Sequence, residues 1–169
     1  YLSDKYKFYI IEDACEAMGA RHADMESGTL GDISIFSFYG NKMISGGEGG
    51  MLLTDLEFAN ERACLFRSQA LSKKQRFWHE AIGHNFRITN MQSALILSQY
   101  KRKSHLIDRA KSLSNVYINN IPNSLNVQEP DGSGLHCWWM FSVIHLQKPN
   151  FYEIASNVLK ENGYDSRPI

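Results

Sequence analysis

A single lysine, Lys42, follows the apolar run Ile33-Ser34-Ile35-Phe36-Ser37-Phe38 and precedes four glycines, Gly46, Gly47, Gly49 and Gly50. This order constrains the chain more than any other feature. The run reads as a strand, and the glycines permit positive φ and close backbone approach, so the loop can lie tightly against a ligand or another chain. A phosphate-gripping P-loop needs its lysine after the glycines, and no GxGxxG is present, so neither nucleotide motif applies. The order suits a lysine held at a strand edge with its amine turned into a cleft, where it can condense with an aldehyde to an imine.

Upstream, Phe8-Tyr9-Ile10-Ile11 ends in Glu12-Asp13. That is the pattern of a buried strand delivering a carboxylate at its C-terminal end, the edge where ligands sit in α/β sheets. A short helical stretch is predicted from Ala14 to Met18, stopping at Gly19, with a polar connection over residues 22–28. A third strand, Met51 to Thr54, runs into Asp55, the expected N-cap of a helix over about residues 56–68. Helical periodicity then extends from Asn90 to about Asn120 and is broken by Pro122. After Gly132-Ser133-Gly134 an aromatic strand is expected over Cys137 to Ile144, then an amphipathic helix from Phe151 to Glu161 that ends at Gly163.

This alternation predicts an α/β protein, with residues 1–120 forming part of a sheet-bearing domain and its linking helices. Residues 121–169 read as the beginning of a second, smaller α/β unit. The opening at Tyr1 and the close at Ser166-Arg167-Pro168-Ile169 read as the cut ends of a longer protein.

Composition removes several function classes. With 43% apolar and 21% charged residues the chain reads as soluble and globular. Lysine plus arginine equals aspartate plus glutamate at 18 each, so net charge recruits neither nucleic acid nor an anionic membrane. No apolar stretch approaches the roughly 18 residues of a membrane span, and no signal peptide is visible. Cys15, Cys64 and Cys137 are odd in number and widely spaced, which suggests a reducing cytoplasm and neither a disulfide framework nor a zinc knuckle. His22, His79, His84, His105, His136 and His145 form no HxH or HExxH spacing, so a metal hydrolase is not supported and no metal ligands are assigned.

An imine-forming lysine implies an aldehyde partner, and pyridoxal phosphate asks for three things: the lysine, a carboxylate for the pyridine nitrogen, and donors for the phosphate. Asp13 can be the carboxylate and Ser37, five residues before Lys42, can supply a hydroxyl. Singly, such residues are more often a surface charge, a helix cap and an unremarkable serine. Together, at this spacing, they favour the cofactor.

Four ordered motifs then carry a resemblance. Ile11-Glu12-Asp13-Ala14-Cys15-Glu16-Ala17-Met18-Gly19-Ala20, the stretch from Gly31-Asp32-Ile33 to Ser37-Phe38-Tyr39-Gly40-Asn41-Lys42, Gly47-Glu48-Gly49-Gly50-Met51, and Gly83-His84-Asn85-Phe86-Arg87-Ile88-Thr89 resemble the DegT-type sugar-nucleotide aminotransferases. The segments from His136 to Phe141 and from Gly163 to Pro168 also look like that family's C-terminal domain. The resemblance implies an aspartate-aminotransferase-like, type I pyridoxal-phosphate fold and a homodimer with its active site at the subunit interface. By position, Lys42 would be the Schiff-base lysine, Asp13 the pyridinium partner, Glu16 a polar residue near the ring, and Ser37 a phosphate contact. Asn85 and Arg87 match a GxNxR segment that reaches the neighbouring subunit's cofactor.

The implied reaction is glutamate-dependent transamination of a keto-sugar nucleotide, giving an amino sugar for surface polysaccharide or related glycans. Phe38-Tyr39-Gly40-Asn41 before the lysine and Glu16 look most like perosamine-synthase-type members, which aminate a 4-keto-6-deoxyhexose on a nucleoside diphosphate. Many relatives carry a basic, glycine-containing hairpin where this chain has residues 21–27, and an N-terminal phosphate-binding turn is not present, so the chain alone is expected to be inactive. Two alternatives share the fold. A sugar dehydratase commonly replaces the lysine by histidine, and a silent sensor would lose the lysine or the aspartate; both residues are present here.

Overall fold

The computed structural model describes residues 2–128 and 132–168. In chain order the elements are α1 (Leu2–Tyr6), β1 (Ile11–Asp13), β2 (Arg21–His22), β3 (Met25–Glu26), β4 (Ile33–Ser37), β5 (Gly50–Thr54) and α2 (Glu57–Arg67). They continue with α3 (Asn90–Tyr100), α4 (Lys103–Asn120), β6 (Asn126–Val127), β7 (Gly134–Leu135), β8 (Val143–Ile144) and α5 (Phe151–Glu161).

The sheet that positions the site has the order β1-β4-β5. β4 is central, pairing with both β1 and β5, and its alternation turns one face to the core: Ser34 and Phe36 are buried there, and Phe38, just beyond the strand, continues that side. β1 runs parallel to β4, with Ile11 opposite Ile33 and Asp13 opposite Ile35. The C-terminal ends of β1 and β4 therefore meet at one edge, carrying Asp13 and Ser37. β5 returns antiparallel, pairing Gly50 with Ser37 and Thr54 with Ile33.

Below that edge lies a core of Phe38, Ile44 and Ile96, flanked by Met18, Ile88 and Leu106. Ile96 belongs to α3, whose start is specified by a capping box: Thr89 Oγ1 accepts from the Gln92 backbone N–H, and the Gln92 side chain accepts from the Thr89 N–H. From the same helix Gln99 grips Ser45, accepting from its N–H at 3.2 Å and donating to its carbonyl at 2.7 Å. The loop after β4 is thus tied to α3 three residues beyond Lys42.

Several local expectations need correction. Phe8 to Ile10 are not strand residues, and Phe8, Tyr9, Ile10 and Ile11 are 40–67% exposed rather than buried. Among the described residues β1 pairs with β4 alone. Residues 14–18 form turns, not a helix, closed by Ala17 N–H to Ala14 O and Ala20 N–H to Ala17 O. Asp55 does not cap α2; Leu56 holds the N-cap position, and Thr54 Oγ1 accepts the Leu56 N–H while donating to Asp32 O. The helix expected over residues 90–120 divides at Lys101 and Arg102, where the Arg102 N–H bonds to Gln99 O.

The aromatic strand expected over residues 137–144 shrinks to Val143–Ile144, because Trp138 turns into positive φ at 55°. The polar connection holds an unforeseen hairpin, β2 with β3, and β2 also pairs with β7: Arg21 faces Leu135 and His22 faces Gly134. Lys103 forms an ion pair with Glu26 at the base of this hairpin. Among the described residues no helix is long and apolar enough to cross a membrane.

Candidate active site

Three chain segments converge at the carboxyl edge of β1 and β4. The last residue of β1 is Asp13 and the turn after it brings Cys15 and Glu16, the end of β4 brings Ser37, and the following loop brings Lys42. Cys15, Glu16, Ser37 and Lys42 line one pocket together with Trp139, which arrives from the C-terminal part of the chain.

The loop is shaped by its glycines. Phe38 donates its N–H to Gly49 O and Gly46 donates to Phe38 O, so the chain doubles back on the strand end. Gly47 and Gly49 adopt φ of 82° and 114°, which a side chain would resist. Within this tight turn the Lys42 N–H bonds to Tyr39 O. Ile44, 1% exposed, anchors the loop into the core two residues past the lysine.

The Lys42 side chain is 12% exposed, and its ammonium donates to Glu16 Oε1 at 2.8 Å. On another side the same Nζ lies 3.9 Å from the centroid of the Trp139 ring. Asp13 Oδ1 accepts the Cys15 backbone N–H at 3.1 Å. The Cys15 thiol and N–H beside it hold the Asp13 carboxyl below the usual carboxylate range, against a weaker opposing effect of desolvation, and the Lys42 charge adds to the lowering. Desolvation pushes the Cys15 thiol up to about 11, with Asp13 acting in the same direction. Cys15 therefore stays protonated and is no nucleophile at neutral pH. Ser37 Oγ accepts the Tyr39 N–H at 3.2 Å, which leaves its own O–H to donate.

This donor set fits pyridoxal phosphate. The Lys42 amine and the Ser37 hydroxyl line the pocket, and Asp13, whose carboxyl is held in its ionised form, ends β1 outside the pocket lining but within reach of the lysine's charge. Among the described residues no group of three or more histidine, cysteine or acidic side chains is placed to hold a metal ion.

Asn85 and Arg87 do not join the pocket within one chain. Both are exposed on the segment between α2 and α3; Asn85 forms an isolated bridge with Ser68, and Phe86 between them donates to Arg67 O. Sequence reasoning missed the apolar pocket residues Met18, Met43 and Ile44, and with them Trp139 and Cys15. Cys15 sat inside the Asp13 motif and was weighed only as a thiol. Trp139 sat in a segment expected to be strand, and its distance of 97 residues from Lys42 carried no signal.

A model of the DegT/DnrJ/EryC1/StrS aminotransferase family matches residues 1–168. GDP-perosamine synthase of Escherichia coli O157:H7 is 33% identical over 168 residues, covering 99% of this chain and 46% of that protein. The Helicobacter pylori aminotransferase PseC, involved in pseudaminic acid biosynthesis, superposes with a TM-score of 0.85 at 28% identity, over 96% of this chain and 45% of that one. The E. coli GDP-4-keto-6-deoxy-D-mannose-3-dehydratase, solved with hydrated pyridoxal phosphate bound, superposes at a TM-score of 0.87 and 23% identity, over 99% and 48%, and shares the fold. The chain spans about half the length of the relatives it matches. Its α/β architecture is that of the aspartate-aminotransferase-like enzymes. By the match over nearly its whole length, the chain belongs to the DegT/DnrJ/EryC1/StrS family of pyridoxal-phosphate-dependent aminotransferases.

Proposed function

We propose that the protein carrying this chain transfers an amino group from glutamate to a keto-sugar nucleotide, with a nucleoside-diphosphate 4-keto-6-deoxyhexose as the substrate. The observation that carries this reading is that Lys42 and Ser37 line one pocket at the carboxyl edge of two parallel strands, where Asp13 ends β1 within the electrostatic reach of Lys42. The sugar class is supported by the 33% identity to a GDP-perosamine synthase.

Bound pyridoxal phosphate supplies an electron sink for the charge left when a Cα proton departs. Lys42 would hold the cofactor through its amine and, once released by the amino donor, would serve as the base that moves the substrate's Cα proton. Asp13, ionised across the working pH range, would be the carboxylate that keeps the pyridine nitrogen protonated. The Ser37 hydroxyl donates to the phosphate. Glu16 neutralises the lysine ammonium whenever the amine is not engaged. In a homodimer, Asn85 and Arg87 extend to the neighbouring subunit's phosphate, a partner suited to a guanidinium. Residues 1–120 belong to the large cofactor domain and 121–169 to the small one, in a cytoplasmic enzyme whose cysteines, all free, match a reducing compartment.

The dehydratase reading is disfavoured because position 42 is lysine. The test uses the full-length protein. Incubation with pyridoxal phosphate and borohydride should fix the cofactor to Lys42 by mass spectrometry, and Lys42→Ala should abolish it. With glutamate and a nucleoside-diphosphate 4-keto-6-deoxyhexose, amino sugar and 2-oxoglutarate should appear in equal amounts. A deoxygenated sugar without 2-oxoglutarate would instead establish a dehydratase.

A further inference from the structure

The stretch from His136 to Trp139 reaches back onto the site at two points. Cys137 Sγ donates to the Glu16 backbone carbonyl at 3.2 Å, and Trp139 Nε1 donates to the Asn41 backbone carbonyl at 2.8 Å. These anchors sit two residues apart, and each falls on one of the segments carrying the Glu16–Lys42 pair. Trp138 between them takes φ of 55°, which lets the chain turn here instead of continuing as a strand. It is held from its own side by the His136 ring, whose centroid is 4.4 Å away and whose Nδ1 accepts the Trp138 N–H at 2.8 Å. The Trp139 ring is thereby fixed in place, with Lys42 Nζ 3.9 Å from its centroid and the Arg167 guanidinium at 5.1 Å.

Lysine has four rotatable side-chain bonds and a compact charge, so a single salt bridge does not define where its amine sits. The Glu16 partner is 55% exposed and its attraction is screened accordingly. An indole is the strongest of the aromatic faces for a cation. Here its N–H is bonded to the residue immediately before Lys42, so ring and lysine backbone are registered to one another.

We propose that Trp139 is a positioning residue for Lys42: its ring sets the direction of the amine in the pocket that Ser37 and Glu16 also line. Through it, the C-terminal part of the chain controls the geometry of a lysine delivered by the loop after β4. This inference rests on the reading of Lys42 as the cofactor-holding amine, yet its test does not depend on that reading.

The test compares full-length wild-type protein with Trp139→Phe, which keeps a ring and loses the N–H, and Trp139→Leu, which keeps apolar bulk without a π face. Cofactor-free protein is treated with formaldehyde and cyanoborohydride, and the methylation rate is followed by mass spectrometry at Lys42 and, as an internal reference, at Lys103. Removing the ring's stabilisation of the ammonium should raise the Lys42 rate in Trp139→Leu by roughly 3- to 30-fold, while Trp139→Phe stays within about threefold of wild type and Lys103 is unchanged. A Lys42 rate in folded Trp139→Leu equal to wild type overturns the proposal. Should Trp139→Leu not fold, Trp139→Phe decides: a rise at Lys42 beyond about tenfold means that the ring is not the positioning element. Separately, if wild-type protein with pyridoxal phosphate and borohydride fixes no cofactor on Lys42, the proposed function fails, while the methylation rates still decide the role of Trp139.

Discussion

The Glu16 carboxylate meets the Lys42 ammonium at 2.8 Å although 26 residues separate them, and the lysine side chain is 12% exposed against 55% for the glutamate. The pair is enclosed on one side and open on the other. Its exposed half limits its contribution to folding to about 1 kcal/mol or less. Glu16→Gln should therefore leave the urea midpoint nearly unchanged while it speeds modification of the Lys42 amine. A stability loss above about 2 kcal/mol would mean that the pair behaves as a buried one.

The loop that carries Lys42 is anchored by packing more than by its glycines. Ile44 is 1% exposed in the Phe38–Ile96 cluster, so Ile44→Ala should cost about 2–5 kcal/mol. Gly47 has φ of 82° with open space where a Cβ would point, so Gly47→Ala should cost only the backbone term, about 1 kcal/mol. Denaturant unfolding of the two variants checks the order; a larger loss for Gly47→Ala would reverse it.

Asp13 titrates below the ordinary carboxylate range. A depressed folded value means that its contribution is present above the unfolded carboxylate pKa and is lost only as pH falls through the still lower folded one. Cofactor retention by the full-length protein should accordingly stay flat from about pH 5 to 8 as far as Asp13 is concerned. Asp13→Asn removes the permanent anion and should slow transamination by about 100-fold or more with the fold intact. Rates across that range test this, and an acidic limb near pH 6 that disappears in Asp13→Asn would contradict it.

Cys15 should resist alkylation. With its thiol pushed up to about 11, the folded protein holds about 100-fold less thiolate at pH 7 than an unperturbed cysteine does. Cys137, 4% exposed, is raised too, first by burial. Iodoacetamide labelling read by peptide mass spectrometry should leave both unmodified until the protein is unfolded in urea; rapid labelling of Cys15 in the native protein would refute this.

Legibility in the sequence followed the range of the interactions involved. β4 and β5 were readable because apolar residues run together there, and α5 because its periodicity is helical over a full eleven residues. The start of α3 at Asn90 was readable from helical periodicity, whereas the Thr89–Gln92 capping box that fixes it went unread. The turn over residues 14–18 was misread because its composition suits a short helix, whereas the Asp13 carboxylate takes the Cys15 N–H and closes a tight turn instead. The β2–β3–β7 sheet was invisible, since two-residue strands carry no periodicity and the pairing of Arg21 with Leu135 spans the chain.

By itself the sequence determined which chemistry is available: a lysine between a strand and glycines, an aspartate at the end of another strand, a serine before the lysine. Those are local facts, set by residue type and spacing. Only the tertiary structure decided that β1 runs parallel to β4, which places Asp13 and Ser37 at one edge, and that Trp139 lies over Lys42. Contacts across 22 or 97 residues depend on how the intervening chain packs, and no local pattern records that.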